Sequence, residues 1–460
     1  MHHLNSSSRP NSWHRWWGLA LAIAALHGCE SATPPVVDQD SQEQLKELAP
    51  AIESPDQAAA KPASPKSDPL KDVVPPGPLV PYSNSLTDAE ITAGWISLFD
   101  GHSLFGWEPN TEKVNWSVVD GSITADSGPI GLLLTYTPFA DYQFRCDFKM
   151  AAGGNSGVFL RTLADPQSTD KDCYEVNIVD EHPAGFLTGA IVGFQKTAEP
   201  IRGSGEWHTF LLTANGTKVT VNLDGKEVST YDDTRPEARR SGLIGLQKNQ
   251  GKIEFKNIAL QPLNQKPLFN GTDLTGWRVV PGSQGEFTHE DGTIHVKGGE
   301  GFLESESQHK DFVLQAQART NAESVNTGIF FRAEPGTEKA KSNGYEMQID
   351  NSRQMPEASV PEATASDIPK NAGTGAIFRR INARRVITND KEWSTVTLIA
   401  SGPRISTYVN GYAMVHWEDT RKADPNPRKG LRLDAGHFSL QGHDPGTDAS
   451  FRAITVSDLP

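Results

Sequence analysis

The same set of motifs occurs twice in this sequence, and this internal repeat limits the folds that the chain can adopt. The matching pairs are LFDG (98–101) and LFNG (268–271), NSGVFLR (155–161) and NTGIFFR (326–332), and GLIGLQ (242–247) and GHFSLQ (436–441). Motifs that recur in one order, at a spacing that grows from 170 residues for the first pair to 194 for the last, indicate two copies of one domain. We therefore predict copy one at residues 88–262 and copy two at residues 265–460.

Each copy is predicted to fold from β-strands. In YQFRCDFK (142–149) apolar side chains alternate with polar ones, which is the pattern of a strand with one buried face. The 41 glycines and 31 prolines suit many short strands joined by turns, and neither copy has a convincing run with helical periodicity. Short strands and turns most economically form two packed sheets, so we expect an all-β protein with two tandem sandwiches.

The charge balance excludes one class of partner. The chain has 57 acidic and 43 basic side chains, for a net charge of −14. A protein with this charge has no long-range attraction for phosphate backbones, so we expect no nucleic-acid partner.

Residues 1–29 are predicted to direct export, and residues 30–87 are predicted not to fold. Residues 13–29 read WHRWWGLALAIAALHGC, a short apolar core after basic residues, which is typical of a signal peptide. Its end resembles a bacterial lipobox, with Cys29 as the lipidated residue, although an ordinary cleaved signal with a chance cysteine also fits. Residues 30–87 are rich in Pro, Ala and Ser, so we predict a disordered tether. We expect an exported protein, periplasmic or at the cell surface, joined to the membrane by a lipid anchor on Cys29.

The polar strand residues of each copy are the candidates for chemistry. Glu175 and Asn177 alternate with apolar neighbours and therefore share one strand face. In copy two, Glu346, Gln348 and Asp350 share a face in the same way. A carboxylate beside an amide can bind sugar hydroxyls or a metal ion, but a solvated strand face would show the same pattern.

Other residues are open to two interpretations. Arg161 and Arg332 end matching motifs and could orient a substrate oxygen, or each could form a structural ion pair. Cys146 and Cys173 could form a disulfide or remain buried thiols. Asn155 and Asn326, each in N-[ST]-G, are expected to serve a turn. Trp107 and Trp277 are expected in the core, whereas tryptophans such as Trp417 could stack on a sugar ring.

Taken together, these motifs resemble the 3-keto-disaccharide hydrolase domain family. The resemblance covers LFDG, NSGVFLR, YEVNIVD (174–180), TGA (188–190) and GLIGLQ in copy one, and their counterparts in copy two. It implies a jelly-roll sandwich of the concanavalin A-like lectin and glucanase type. It also implies a concave sheet that receives carbohydrate.

The resemblance implies a different set of site residues in each copy. It places the acidic residues of the family at Glu175 and Asp180 in copy one, and His182 follows them. In copy two Asn351 takes the position of Asp180. The late LQ motif, with Gln247 in copy one and Gln441 in copy two, is followed by the expected histidine, His443, only in copy two. Each copy therefore lacks one element of the pattern, which favours some division of labour; one such interpretation has copy one as the enzyme and copy two as a degenerate scaffold or sugar-binding partner.

The implied activity is the cleavage of 3-keto-glycosides or 3-keto-disaccharides. A ketone at C3 acidifies the C2 proton, so a carboxylate could remove it and the C1 oxygen could then leave. Glu175 and Asp180 are the best pair to hold a divalent cation that would stabilise the enolate. The alternative is a non-catalytic lipoprotein that binds glycans through two lectin-like modules.

Overall fold

The computed structural model describes residues 85–352, 373–385, 387–426 and 428–460. The predicted signal peptide, Cys29 and almost all of the predicted tether lie outside these residues. Within the described part of the chain, no helix has the length and apolar character needed to cross a bilayer.

Copy one begins with a short helix and continues as strands. Helix α1 (Asp88–Thr92) has Thr87 as its N-cap, in a capping box with Glu90. The strands are β1 (Ile96–Ser97), β2 (Trp107–Pro109), β3 (Ser117–Val119), β4 (Ser122–Ala125), β5 (Gly131–Thr135), β6 (Tyr142–Met150), β7 (Asn155–Thr162), β8 (Tyr174–Val179), β9 (His208–Asn215), β10 (Lys218–Leu223), β11 (Lys226–Asp232), β12 (Leu243–Lys248) and β13 (Ile253–Pro262).

Copy two is built from strands of similar length in the same order. They are β14 (Lys266–Pro267), β15 (Trp277–Val279), β16 (Glu286–Glu290), β17 (Thr293–Lys297), β18 (Gly301–Ser305), β19 (Phe312–Thr320), β20 (Asn326–Glu334), β21 (Asn343–Asp350), β22 (Ser394–Ser401), β23 (Arg404–Val409), β24 (Tyr412–Glu418), β25 (His437–Gly442) and β26 (Asp448–Asp458).

The strands form two antiparallel sandwiches with equivalent strand orders. In copy one a sheet with the order β11-β10-β9-β6-β13-β4-β3 faces a five-stranded sheet with the order β2-β5-β12-β7-β8. In copy two the corresponding orders are β24-β23-β22-β19-β26-β17-β16 and β15-β18-β25-β20-β21. This architecture confirms the prediction of an all-β protein with two tandem sandwiches.

The local sequence explains the buried face of one strand and the turn of one hairpin. Along β6 every second residue is buried, as the alternation in YQFRCDFK predicts. Asp224 and Gly225 join β10 to β11 with positive φ angles of 50° and 81°, the conformation that Asp-Gly favours in a two-residue hairpin.

The tryptophans and cysteines considered above are buried within the fold. The Trp107 indole donates a hydrogen bond to the Leu98 carbonyl, and Trp277 makes the equivalent bond to Leu268, so both lie in the core as expected. Trp417 is buried against Tyr345 and does not form an exposed platform. Cys146 and Cys173 are both buried free thiols, so the disulfide alternative is wrong. Burial raises the pKa of each thiol, which makes both poor nucleophiles.

The two sandwiches share a packed contact. Arg384 of copy two is buried, donates to the Asp100 carboxylate at 3.0 Å and stacks on Phe105 at 4.0 Å from the ring centroid. Apolar residues of copy two, including Tyr408, belong to the same buried cluster as the core of copy one. The tandem copies are therefore joined through buried side chains as well as through the chain.

Candidate active site

The face of each five-stranded sheet that points away from the core carries the predicted site residues. Alternation along β7, β8 and β12 puts Val158, Val176 and Leu246 in the core, and their neighbours on the opposite face. Strand register then aligns equivalent rows across the two sheets. The row in copy one is Leu134, Gly245, Phe159 and Glu175, and the row in copy two is Glu304, Ser439, Phe330 and Glu346.

A glycine next to each glutamate leaves room for its carboxyl group. A Cβ atom at Gly157 would lie 3.1 Å from Glu175 Oε1, and one at Gly328 would lie 3.0 Å from Glu346 Oε1. These are the glycines of the two N-[ST]-G motifs. The motifs lie at the start of β7 and β20 rather than in a turn, so the turn expected for Asn155 and Asn326 is wrong. The glycine of this motif is a signal for the site that the sequence analysis missed.

In copy two the glutamate lies in an open cleft. The cleft has a volume of about 540 Å³, and its lining includes Glu346, Gln441, His443, Arg379 and Arg428. The Glu346 side chain is 4% exposed, and its Oε2 accepts a hydrogen bond from Arg428 Nη2 at 3.2 Å. Burial raises the pKa of Glu346 to about 7, although the positive charges of Arg428, His443 and Arg379 act in the opposite direction. A carboxyl group with this pKa is suited to accept and release a proton near neutral pH.

Two buried amide oxygens, one in this cleft and one beside it, suit a polyhydroxylated ligand. The oxygens belong to Gln441, which lines the cleft, and Gln348, and neither has a hydrogen-bond partner among the residues that the structure describes. Gln348 Nε2 donates to Asn326 Oδ1 at 2.6 Å, which fixes its amide beside the cleft. Buried acceptors without donors are rare in folded proteins. A sugar hydroxyl would satisfy such an oxygen.

His443 is the second ionisable group of the cleft that was expected from sequence. Its Nδ1 lies 2.8 Å from Asp444 Oδ2, and this contact lowers the pKa of Asp444. An ionised aspartate at Nδ1 favours the tautomer with the proton on that nitrogen, which leaves Nε2 as the basic nitrogen. The structure brings His443 and Glu346 into one cleft.

Copy one surrounds its glutamate with apolar groups. Leu132, Leu134 and Phe159 form a buried cluster on the same sheet face as Glu175. Burial raises the pKa of Glu175 to about 7, and a hydrogen bond from Gln247 acts in the opposite direction. The Oε1 atom of Gln247 has no partner within the described part of the chain. No arginine or histidine contributes to this shift. The two glutamates thus have similar pKa values in different surroundings.

The structure separates Asp180 from Glu175. Asp180 follows the end of β8, and its Oδ1 accepts a hydrogen bond from the Gly203 amide at 3.2 Å. It lines a small cavity with Ile178 and Phe148, on the core side of the sheet. The residues described contain no cluster of three side chains suited to hold a metal. The alternation of β8, continued one residue past Val179, places Asp180 with Ile178 on the core side and Glu175 on the opposite face, so the structure does not bring the expected cation pair together.

Asn177 and His182 hold the loop that follows β8. Asn177 Nδ2 donates to the Phe186 carbonyl at 2.7 Å, and His182 Nδ1 accepts from the amide of Ala184 at 3.2 Å. Both side chains are used within the loop. Their expected contact with substrate stays a prediction.

Asp350 and Asn351 hold the chain after β21. Asp350 Oδ1 accepts from the Ser352 amide at 2.9 Å, while Asn351 Nδ2 donates to Asp390 Oδ1 at 3.1 Å. Asn351 therefore replaces Asp180 in a structural network. A role of Asp350 in substrate binding stays a prediction.

Arg161 and Arg332 are structural residues rather than site residues. Each side chain is completely buried and pairs with the aspartate that precedes the long central strand, Asp141 or Asp311. Each guanidinium also donates to three backbone carbonyls; for Arg161 these belong to Ala140, Gly216 and Arg239. With these donors engaged inside the domain, neither arginine can contact a substrate, so the ion-pair interpretation is the right one.

Arg428 is a site residue that the sequence analysis missed. It lies in the segment between Asp419 and Gly436, which is eight residues longer than the matching segment between Asp233 and Gly242. The surrounding residues have direct counterparts, because Arg239 and Arg432 donate to the carbonyls of Arg161 and Arg332 in the same way. The length difference between the copies was the available signal.

A family model matches both copies, and individual proteins match part of the chain. Residues 94–261 and 264–457 match the family model of the 3-keto-alpha-glucoside-1,2-lyase-like domain. A Bacteroides thetaiotaomicron protein named 3-keto-disaccharide hydrolase is 31% identical over 255 residues, which cover 40% of this chain and 87% of that protein. A solved Parabacteroides distasonis structure, provisionally described as a glycosyl hydrolase, is 20% identical over 39% of this chain and 99% of its own, with a TM-score of 0.35. A Bacillus subtilis carbohydrate binding module is 16% identical over 34% of this chain and 95% of its own, with a TM-score of 0.28.

Proposed function

The chain belongs to the 3-keto-alpha-glucoside-1,2-lyase-like domain family, and from this premise we propose that it is a carbohydrate hydrolase that acts on 3-keto-glycosides or 3-keto-disaccharides. The observation that carries the proposal is the cleft of copy two, where a buried carboxyl with a pKa of about 7 lies beside a histidine and buried amide oxygens. Copy two is therefore the proposed catalytic copy, in place of the pair Glu175 and Asp180.

The proposed reaction begins with proton abstraction. The Glu346 carboxylate removes the C2 proton, and the electron pair of the C2–H bond passes into the enolate of the C3 ketone. The pair then forms a C1–C2 double bond while the C1–O bond breaks, and the leaving oxygen takes a proton. His443 is the proposed donor of that proton, after its Nε2 has taken up a proton from water. Addition of water across the double bond completes the hydrolysis.

The experiment compares the two glutamates directly. The purified protein is incubated with a 3-keto-glucoside, and release of the 3-keto sugar is followed by chromatography. Glu346→Gln should lower turnover by about 100-fold or more, the usual scale for a general base. Glu175→Gln is the matched control and should change turnover by less than about tenfold.

The other possible outcomes of this turnover experiment also distinguish between the two copies and between the two functions. A larger loss from Glu175→Gln would assign catalysis to copy one. Equal losses would assign it to both copies. A wild-type protein that binds the sugar without any turnover would contradict the hydrolase proposal and favour the glycan-binding alternative, for which the unpartnered Gln247 oxygen in copy one offers an acceptor.

We also propose that the protein is exported and anchored to the membrane through a lipid on Cys29. The support is the sequence of residues 13–29. In the native host, Cys29→Ser should move the protein from the membrane fraction to the soluble fraction. Unchanged membrane association would contradict the anchor.

A further inference from the structure

We propose that Arg428 is the positioning residue of the copy-two site: it holds the Glu346 carboxylate in its ionised form and in a fixed orientation at the cleft. The inference rests on the proposed function for its kinetic test, but not for its structural test. Arg428 lies outside every motif of the repeat.

The position of Arg428 is fixed by contacts on two sides. Its guanidinium lies 5.0 Å from the ring centroid of Phe330 and 5.9 Å from that of Phe378. From this position Nη2 donates to Glu346 Oε2 at 3.2 Å. Stacking on aromatic rings limits the freedom of the guanidinium, so less entropy is lost when it orients the carboxylate.

Comparison of the copies shows what Arg428 adds. Phe159 and Phe330 occupy equivalent positions next to Glu175 and Glu346. The extra eight residues before Gly436 supply Arg428 to copy two only. Copy one keeps the buried glutamate, the glycine and the glutamine of the site but has no ion pair to Glu175 among the described residues. The longer segment thus gives Glu346 a cationic partner that Glu175 lacks, while burial raises the pKa of both carboxyl groups to about 7.

Electrostatics explain why this cation matters. A buried carboxylate without a partner is costly, and the group takes up a proton instead. Arg428 is the largest of the influences that oppose the rise in the pKa of Glu346, ahead of His443 and Arg379. The other charged groups of the cleft are Lys339, Lys341, Glu300 and Glu338, and Lys341 is paired with Glu300 at 3.3 Å.

The structural test measures coupling without substrate. The free energy of unfolding is measured at pH 5 and pH 8 for wild type, Glu346→Gln, Arg428→Met and the double variant. Removal of Arg428 leaves the buried charge unpaired, so Glu346→Gln should stabilise the Arg428→Met protein more than the wild type at pH 8, and the difference should shrink at pH 5. Glu175→Gln, the matched control, should be additive with Arg428→Met. Additivity of Glu346→Gln with Arg428→Met at both pH values would overturn the proposal.

The kinetic test uses the pH profile. Arg428→Met should move the acidic limb of kcat/KM to higher pH by about one unit or more, since a neighbouring opposite charge shifts a carboxyl pKa by that amount. The Arg428→Lys variant should retain part of the activity at pH 6 that Arg428→Met loses. Free guanidinium added to the Arg428→Met protein should also restore part of this activity. An unchanged acidic limb in an active Arg428→Met protein would overturn the proposal, although the hydrolase function would stand. If the wild type shows no turnover, the hydrolase function fails and the coupling measurement alone decides the role of Arg428.

Discussion

At the scale of single residues, the site consists of a carboxyl group placed where its charge is unfavourable. The folded protein holds the pKa of Glu346 at about 7, whereas the usual value is 4.5. Between these two pH values the folded state binds more protons than the unfolded state. Glu346 therefore destabilises the folded state least below pH 4.5, and this destabilisation increases as the pH rises through 7.

The raised pKa of Glu346 leads to a prediction about the pH dependence of stability. Glu346→Gln removes the buried charge but keeps the shape, so the variant should be more stable than the wild type at pH 8, by about 1–3 kcal/mol. The gain should disappear near pH 4. Chemical denaturation at both pH values measures it. Glu290→Gln, at an exposed position of copy two, is the control and should change stability little. A gain of equal size at both pH values would show that Glu346 is not the titrating group.

At the scale of strands, β20 and β21 form the site because a glycine lies diagonally next to Glu346, in the neighbouring row. Gly328 pairs with Gln348, and a Cβ atom there would lie 3.0 Å from both Cγ and Oε1 of Glu346. Contacts of this length require the neighbour to move. The carboxylate of Glu346 is anchored by Arg428, so a displacement would break that hydrogen bond.

The prediction is that Gly328→Ala impairs the site more than the fold. The variant should keep its β-sheet circular dichroism spectrum and lose about tenfold or more in turnover, because even a small displacement of a catalytic group is costly. Gly157→Ala makes the same change beside Glu175 and should spare turnover if copy two is the catalytic copy. Full activity of Gly328→Ala would mean that the side chain of Glu346 adjusts freely.

The strands also show how far the sequence could predict the site. Alternation correctly assigned Glu175 with Asn177, and Glu346 with Gln348, to one face, since the period of two is a property of the extended backbone. The same alternation, continued past the end of β8, puts Asp180 on the core side with Ile178, so the period itself argued against pairing Asp180 with Glu175. Arg428 belongs to an irregular segment whose path depends on tertiary contacts with Phe330 and Phe378. Periodicity carries no information about such a segment.

At the scale of the whole molecule, the contact between the sandwiches contains a buried histidine. His416 of β24 packs against Phe105 and Tyr136 of copy one, with ring centroids 4.6 Å and 5.3 Å away. Its Nδ1 lies 2.7 Å from the Ser406 hydroxyl. Burial, together with the positive charge of Arg384, lowers the pKa of His416 to about 3. The contact is therefore built around a neutral imidazole.

The last prediction is that acid weakens this contact through His416. Between the usual histidine pKa of 6.5 and the folded value of about 3, the unfolded state binds a proton that the folded state excludes. Stability should therefore fall as pH drops below 6.5, with a contribution from this residue of up to about 1.4 kcal/mol per pH unit. His416→Gln keeps a polar group near Ser406 and cannot titrate, so its stability should fall less steeply between pH 6.5 and 4.5, measured by chemical denaturation. His289→Gln, at an exposed position, should keep the wild-type slope. Parallel slopes for His416→Gln and the wild type would show that the imidazole accepts its proton within the folded contact, which would then have to admit water beside Phe105 and Tyr136.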